Sequence, residues 1–477
     1  RSLNIHIPTL CYHKDLRIAG NCRVCVVESK DSKQLIASCA TPAEDGMEIL
    51  TNSLRVRSAR KTMIDLLLSE HNADCTNCYK NGKCELQALA SEFKIISPTY
   101  IDLVPDRHAM IDQLSPAIVK DDSKCIRCQR CVRTCEELQG VSAVDVAYKG
   151  SNMKISTFLG KSLYNVICTN CGQCIDRCPT GALTEKNFIE EVWNAIWDKE
   201  KYVVVQTAPS VRISLGEDLG IEPGKRVTGR LVSSLRRLGF DAVLDTAVSA
   251  DITVMEESAE LLSRLRRTYE NPGSDGILPM FTSCSPAWIK FIEHMYPDYL
   301  DHLSSCKSPQ QMFGVLAKTY YARKMGLDPE KVVTVSVMPC TAKKFEADRP
   351  EMRSSGFKDV DYVLTTRELA IMIIQAGLDF SNLPNDNYDS IMGKASGAGV
   401  IFGATGGVME ATLRTAYVSL TGRDVPFEHL NVIPVRGFEG IRETTLHLTQ
   451  LLPEWSFLEG KDLKVAVAHG LAMPGPS

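Results

Sequence analysis

Long apolar runs are missing from this sequence. None approaches the roughly 18 residues a membrane helix needs, so no membrane span is expected. A strong charge of one sign is also missing. The 54 Lys and Arg stand against 58 Asp and Glu, for a net charge of −4, which gives nucleic acid no electrostatic footprint. No strand is followed by the fingerprint G-x-G-x-x-G, so no dinucleotide is expected on this chain itself. A secretory signal pattern is absent, and low-complexity content is negligible, so a cytoplasmic protein is expected. What is present is ordinary globular composition, 44% apolar and 23% charged. Its 477 residues exceed one core and predict two to four domains. The sequence opens at Arg1 rather than Met, and further N-terminal sequence is expected.

Cysteine is the exception to this plainness. Fifteen of the 18 cysteines fall before position 180, in tight C-x2-C groups. A disulfide framework belongs to short secreted chains. Closely spaced thiols within one turn of backbone instead suit a shared metal centre. The strongest group is Cys125, Cys128, Cys131 and Cys135, repeated as Cys168, Cys171, Cys174 and Cys178 before Pro179. This is the two-cluster ferredoxin run, in which the fourth cysteine of each run ligates the other cluster. One [4Fe–4S] cluster is therefore expected on Cys125, Cys128, Cys131 and Cys178, and another on Cys168, Cys171, Cys174 and Cys135. Zinc is the competing reading, but zinc sites usually pair two C-x2-C units.

Two further groups precede it. Cys11, Cys22, Cys25 and Cys39 have the middle pair and outlying members of a plant-type [2Fe–2S] arrangement, with zinc, which four thiolates also suit, as the competing reading. Segments 23–29 and 34–39 read as strands about a turn at 31–33. His71, Cys75, Cys78 and Cys84 follow a helical pattern over 58–70. Three thiols leave one iron of a cubane unfilled, and His71, four residues before Cys75, is the candidate to fill it; an ordinary surface or helix-end histidine is the competing reading. A neutral imidazole in place of an anion would raise that cluster's potential.

Beyond position 187 the pattern changes. Residues 188–201 read as a connecting helix, and KYVVVQT (201–207) as a buried strand. Helical 230–238 is followed by apolar DAVLDT and ADITVME, then helical 258–268. VVTVSVM (332–338), DYVLTT (361–366) and KVAVA (464–468) are strand-like. Strands alternating with helices imply α/β architecture. Residues 271–276 read as a loop. Three segments carry chemistry: TSCSPAW (282–288), MPCTAKKFE (338–346) and the glycine-rich SGAGVIFGATGGVME (396–410). The last lacks the Lys-Ser/Thr ending of a phosphate loop.

TSCSPAW, MPCTAKKFE and LSSCKSPQQMFG (303–314) resemble the catalytic domain of [FeFe]-hydrogenases, and with the cluster groups the resemblance covers nearly the whole chain. The chain looks most like the catalytic subunit of the multi-subunit, NAD(P)-linked, electron-bifurcating enzymes. Its N-terminal part also resembles the iron–sulfur subunit of respiratory complex I. Both families have an N-terminal [2Fe–2S] domain with the wide first gap of Cys11 to Cys22, and a cluster ligated by a histidine placed like His71. The implied fold class is multidomain, α+β and α/β. A β-grasp [2Fe–2S] domain spans 1–57, a His/Cys3 [4Fe–4S] domain 58–110, a ferredoxin-like domain 111–187 and an H-cluster domain 188–477. The implied cofactors are one [2Fe–2S] and three [4Fe–4S] clusters. The resemblance adds an H-cluster, a cubane joined through cysteine to a two-iron site with CO, cyanide and a dithiolate.

By motif position, Cys284, Glu257, Ser304, Glu260 and Arg264 resemble a proton relay. Glu257, Glu260 and Arg264 recur at helical spacing, and an ordinary charged helix face is their competing reading. Met338 and Phe402 resemble residues packed on the two-iron site. Lys343 resembles a donor to cyanide, and Ala208, Pro209, Pro309 and Gln310 resemble cavity lining. The implied partners are H2, protons, ferredoxin, flavin- and NAD(P)-binding subunits and a small [2Fe–2S] subunit. The sequence departs from the family at two points. Ser285 stands where a cubane cysteine is usual, and no cysteine follows Cys340, which alone of four cubane ligands is visible. Cys306 is an extra thiol nearby. Either further C-terminal sequence is expected, or the chain is a relative that passes electrons without an H-cluster.

Overall fold

The computed structural model describes residues 4–100, 110–270, 276–390, 393–425, 433–435 and 440–471. The expected loop at 271–276 lies outside them, apart from Gly276. The chain divides into two compact units, 1–186 and 187–477.

The first unit is built from short elements wrapped around cysteines. A three-stranded antiparallel sheet sets Val26–Ser29 between Leu35–Ala37 and Ile49–Leu50. The helix Leu54–Ser69 starts earlier than its apolar spacing indicates, because the Ser53 side chain caps it by accepting from the Val56 N–H at 3.2 Å. Buried Arg60 ties this helix to the sheet, donating from Nε and Nη2 to the Val26 carbonyl at 3.1 and 2.8 Å. The sheet Ile111–Asp112, Ile118–Asp121 and Leu183–Glu185 and the hairpin Asp145–Ala147/Lys154–Ser156 frame the ferredoxin-like part.

The second unit has a parallel four-stranded sheet in the order Ala242–Asp245, Tyr202–Thr207, Val332–Met338, Tyr362–Thr365. The two central strands are buried almost throughout, as a sheet covered by helices on both faces requires. Helices Ile189–Trp197, Thr228–Leu238 and Thr366–Gln375 contribute to its largest core. ADITVME, grouped with the apolar segments between strand and helix, lies inside one helix, Thr246–Tyr269. Its β-branched residues imitate a strand locally. The buried positions Ala250, Thr253, Val254, Glu257, Ser258 and Leu261 keep helical spacing, and Asp245 caps the start through Ala247 N–H at 3.0 Å. Strand Asp462–Ala468, which contains KVAVA, pairs antiparallel with Ile441–His447 in a separate sheet. Among the described residues no helix is long and apolar enough to cross a membrane.

Candidate functional site

The two ferredoxin-like runs fold alike. Arg127 and Gln129 take left-handed backbone, φ 54° and 59°, two and four residues after Cys125. Asn170 and Gly172 do the same after Cys168, at 58° and 74°. Alternating hand turns successive N–H groups to one side, a concave cradle for an anionic group. Accordingly, Arg127 N–H donates to Cys125 Sγ at 3.4 Å, and Ala143 N–H to Cys135 Sγ at 3.2 Å.

One cavity is lined by Cys125, Cys128, Cys131 and Cys178 together. Three come from the first run and the fourth from the second. Burial pushes Cys125 up to about 11 and Cys128 up to about 12, and the Cys178 thiol adds to both as a like charge. Burial also drives Cys174 well above its usual range, with Cys171, Cys168, Cys131 and Cys135 adding as like charges. Each run's fourth cysteine thus lies with the other run's first three. Crowded, desolvated thiols resist becoming thiolates without a cation, and a positively charged iron core supplies one. None of the 18 cysteines is joined in a disulfide. Among the described residues no three Cys, His, Asp or Glu side chains converge tightly enough for a single ion. The thiols of this cavity surround a space, and the donor set fits a cluster.

The other groups are stitched to this one. His71 Nδ1 lies 3.1 Å from the Lys124 carbonyl. A carbonyl only accepts, so Nδ1 carries the proton and Nε2 keeps its lone pair for a metal. Burial holds the His71 imidazole below its usual pKa, favouring the neutral form a ligand needs. Thr180 Oγ1 donates to the same carbonyl at 2.7 Å. Gly181 leaves no room for a side chain, since a Cβ there would sit 2.7 Å from Cys78 Sγ. In the N-terminal group, Cys25 and Cys39 Sγ atoms lie 3.3 Å apart, and Cys22 N–H donates to Cys11 Sγ at 3.5 Å. Buried Arg133 donates from Nη2 to the Cys11 and Cys128 carbonyls at 2.8 and 3.2 Å.

In the second unit the chemistry gathers at the carboxyl ends of the parallel strands, where open α/β sheets place their sites. Ala208 and Pro209 follow Thr207, and Met338 ends the next strand before Cys340. Gly403, next to Phe402, approaches Pro209, its Cβ position 3.6 Å from that of Pro209. Lys343 Nζ donates to the Cys284 carbonyl (2.8 Å), Ser308 Oγ (3.1 Å) and Glu346 Oε2 (2.9 Å). Those three bonds use all its protons, so a cyanide acceptor would have to displace one. Gln310, after Pro309, donates from Nε2 to the Lys343 carbonyl and Glu346. Its buried Oε1 has no hydrogen-bond partner among the described residues. A polar pocket with a buried ammonium fits the cyanide-bearing part of the expected cluster. Of the cubane ligands that the resemblance implies, the sequence shows Cys340; Ser285 is exposed and its side chain makes no capping hydrogen bond to the helix Pro286–Met295.

The structure joins part of the expected relay directly. Glu260 accepts from Ser304 Oγ at 2.8 Å, from Ser305 N–H at 3.0 Å and from Arg264 Nη2 at 2.7 Å. Glu257 instead bonds Thr282 Oγ1, two residues before Cys284, and Thr412 Oγ1 at 3.3 Å. Burial raises the Glu257 carboxyl. Burial also pulls Glu260 up, but the hydrogen bonds of Ser304 and Arg264, with Arg264's charge, hold it below its usual value. Burial raises the Cys284 thiol against the pull of Lys343, with Glu346 and Glu257 adding to the rise. Carboxyls pushed in opposite directions are a donor–acceptor arrangement for protons. Thr282, Ser308 and Glu346 lie within the segments singled out in the sequence but had no role assigned there, and Thr412 lies outside them. Only Glu346 carried a local signal, three residues from Lys343 on one helix.

Comparison with known proteins agrees with this architecture. Residues 201–474 match the iron-only hydrogenase large subunit, C-terminal domain. Residues 115–184 match the ferredoxin-like domain of NADH-quinone oxidoreductase subunit 3, and 60–98 match the NADH-ubiquinone oxidoreductase-G iron-sulfur binding region. Residues 1–53 match a 2Fe-2S iron-sulfur cluster binding domain. The chain is 47% identical to the NADP-reducing hydrogenase subunit HndD of Solidesulfovibrio fructosivorans, over 99% of this chain and 79% of that protein. It is 42% identical to iron hydrogenase 1 of Clostridium pasteurianum, over 94% of this chain and 76% of that protein. An [FeFe]-hydrogenase HydA1 structure from Chlamydomonas reinhardtii superposes with TM-score 0.53 at 41% identity, covering 60% of this chain and 76% of that one.

Proposed function

The chain belongs to the iron-only hydrogenase large-subunit family and is an [FeFe]-hydrogenase oxidoreductase with iron–sulfur electron transfer; from that premise we propose that it interconverts H2 with protons and electrons and passes the electrons along its own clusters. Four are proposed. A [2Fe–2S] cluster sits on Cys11, Cys22, Cys25 and Cys39, and a cubane on His71, Cys75, Cys78 and Cys84. The two ferredoxin-type cubanes use Cys125, Cys128, Cys131 and Cys178, and Cys168, Cys171, Cys174 and Cys135. The cavity lined by the first of those crossed sets carries this reading.

When bound, the H-cluster supplies the site where H2 is split and two electrons are released. Lys343, Met338, Phe402, Ala208, Pro209, Pro309 and Gln310 would enclose its two-iron part, and Cys340 would ligate its cubane. The chain's own groups move the protons. Cys284 takes a proton at its thiol, Glu257 receives it in a buried, readily protonated carboxyl, and Ser304 and Glu260 pass it toward Arg264 and solvent. With no dinucleotide fingerprint in the chain, flavin and NAD(P) belong on partner subunits, and a small [2Fe–2S] subunit is a further partner. Ferredoxin is a second electron partner, the assembly is bifurcating and the location is cytoplasmic. The test is H2-dependent reduction of benzyl viologen by the matured protein, together with infrared bands of iron-bound CO and cyanide. Absence of both overturns catalysis by this chain.

Ser285 favours a second reading, an electron-transfer subunit without an H-cluster, because a serine hydroxyl is a poor substitute for thiolate. Iron counting separates the two. The four clusters hold about 14 irons, and an H-cluster adds six by its composition.

A further inference from the structure

We propose that the hairpin and turn over residues 145–164 form the docking surface for a small, acidic ferredoxin-type electron carrier. The proposal rests on the cluster assignment above. Residues 145–164 contain Lys149, Lys154 and Lys161 against a single acid, Asp145, in a chain whose overall charge is −4. Among these lysines, large apolar side chains face water. Tyr148 is 69% exposed, Phe158 72% and Leu159 80%. Lys154 Nζ lies over the Tyr148 ring, 5.6 Å from its centroid. Two of these bulky residues are held in left-handed backbone, Tyr148 at φ 64° and Leu159 at φ 52°. Such strain costs about 1–3 kcal/mol per residue and gathers where a surface has work to do. Here it presents ring and alkyl groups to solvent, where folding gains nothing from them.

The opposite face of the segment is the wall of a cluster site. Ile155, paired with Val146 across the hairpin, lines the cavity of Cys125, Cys128, Cys131 and Cys178. Leu163 and Val166 pack in the core that holds Cys135, Cys168 and Cys174. One layer of side chains therefore separates the exposed patch from two proposed cubanes. Lysines around an apolar centre complement a carboxylate-ringed surface beside a redox centre, and they steer encounter at low salt. A carrier docked here would accept one electron at a time, its cluster reduced as a cubane of this chain is oxidised.

The test uses the cluster-loaded, matured chain and a two-cluster clostridial-type ferredoxin as probe. Binding is read by calorimetry, and electron transfer by H2-driven ferredoxin reduction. The triple variant Lys149→Glu, Lys154→Glu, Lys161→Glu is expected to weaken binding about tenfold or more at low salt. Its salt dependence should be smaller, and viologen reduction should be unchanged. Phe158→Ser with Leu159→Ser, which leaves the charges alone, should also weaken binding. Ferredoxin affinity equal in all three proteins, or no affinity in the unaltered chain, overturns the surface. Lysine-dependent binding without any viologen turnover upholds the surface and overturns the hydrogenase reading instead.

Discussion

Arg264→Met is the perturbation whose effect can be worked most fully from the structure. The guanidinium donates from Nε and Nη2 to Glu260 Oε1, at 3.1 and 2.7 Å. It also donates to the carbonyls of Ile277 (3.1 Å), Asp301 (3.2 Å), His302 (3.4 Å) and Leu303 (2.7 Å). One side chain thus ties the helix Thr246–Tyr269 to the segments leading to Cys284 and Ser304. Both partners are largely sheltered, Arg264 at 13% and Glu260 at 16% side-chain exposure. Methionine keeps much of the volume but leaves the carboxylate without its cation and the carbonyls without this donor. The cost is that of breaking a buried pair, about 3 kcal/mol after allowing for some water access, not the sum of six bonds. In a unit spanning residues 187–477 that is a fall in Tm of about 5 °C. Losing the outermost group of the proposed relay is also expected to slow H2 oxidation about 100-fold or more. Dithionite reduction of the N-terminal clusters should be untouched. Arg264→Lys should fall between, because ammonium keeps the charge but not the planar fork. Calorimetry and viologen turnover read both effects. A Tm within about 2 °C of the unaltered chain, with unchanged turnover, refutes the reasoning.

Three further outcomes are expected. Cys178→Ser should remove the cubane of Cys125, Cys128 and Cys131 and spare that of its own run, read as the loss of about four irons and one electron paramagnetic resonance signal; loss of the second run's cluster alone would contradict the crossed pairing. Gly181→Ala, whose Cβ would sit 2.7 Å from Cys78 Sγ, should abolish the signal of the His71 cluster while the ferredoxin-type signals persist. The two relay carboxyls should show opposite pH dependence. Glu257 is raised above its ordinary 4.5, so its stabilisation is complete below that pH and is lost as pH rises through the folded value. Glu257→Gln should therefore gain stability relative to the unaltered chain toward neutral pH. Glu260 is lowered from 4.5, so its contribution is present above that pH and is lost on acidification. Glu260→Gln should be destabilised at neutral pH, the gap closing as pH falls from 4.5 through the lowered folded value. Parallel melting curves for the two variants across that range would overturn the assignment.

The gathering of the thiols could be read in the sequence because it is largely a local problem. C-x2-C-x2-C-x3-C places three thiols within a turn or two of chain, and the crossed fourth ligand follows from the repeat. The buried parallel strands were legible from apolar runs of strand length, as in KYVVVQT and VVTVSVM. ADITVME misled because β-branched residues in a helix look like a strand until the whole period is counted. Glu257's partners were not legible. Thr282 and Thr412 lie 25 and 155 residues away, and only the packing of separate elements brings them together. The bonds of Lys343 to Cys284 and Ser308 were hidden for the same reason.

Iron and sulfide analysis with Mössbauer spectroscopy of the anaerobically purified, reconstituted chain tests the central claim most directly. The account predicts about 14 irons in one [2Fe–2S] and three [4Fe–4S] clusters before any H-cluster is added. A colourless protein, or one holding zinc on these thiols, would contradict it.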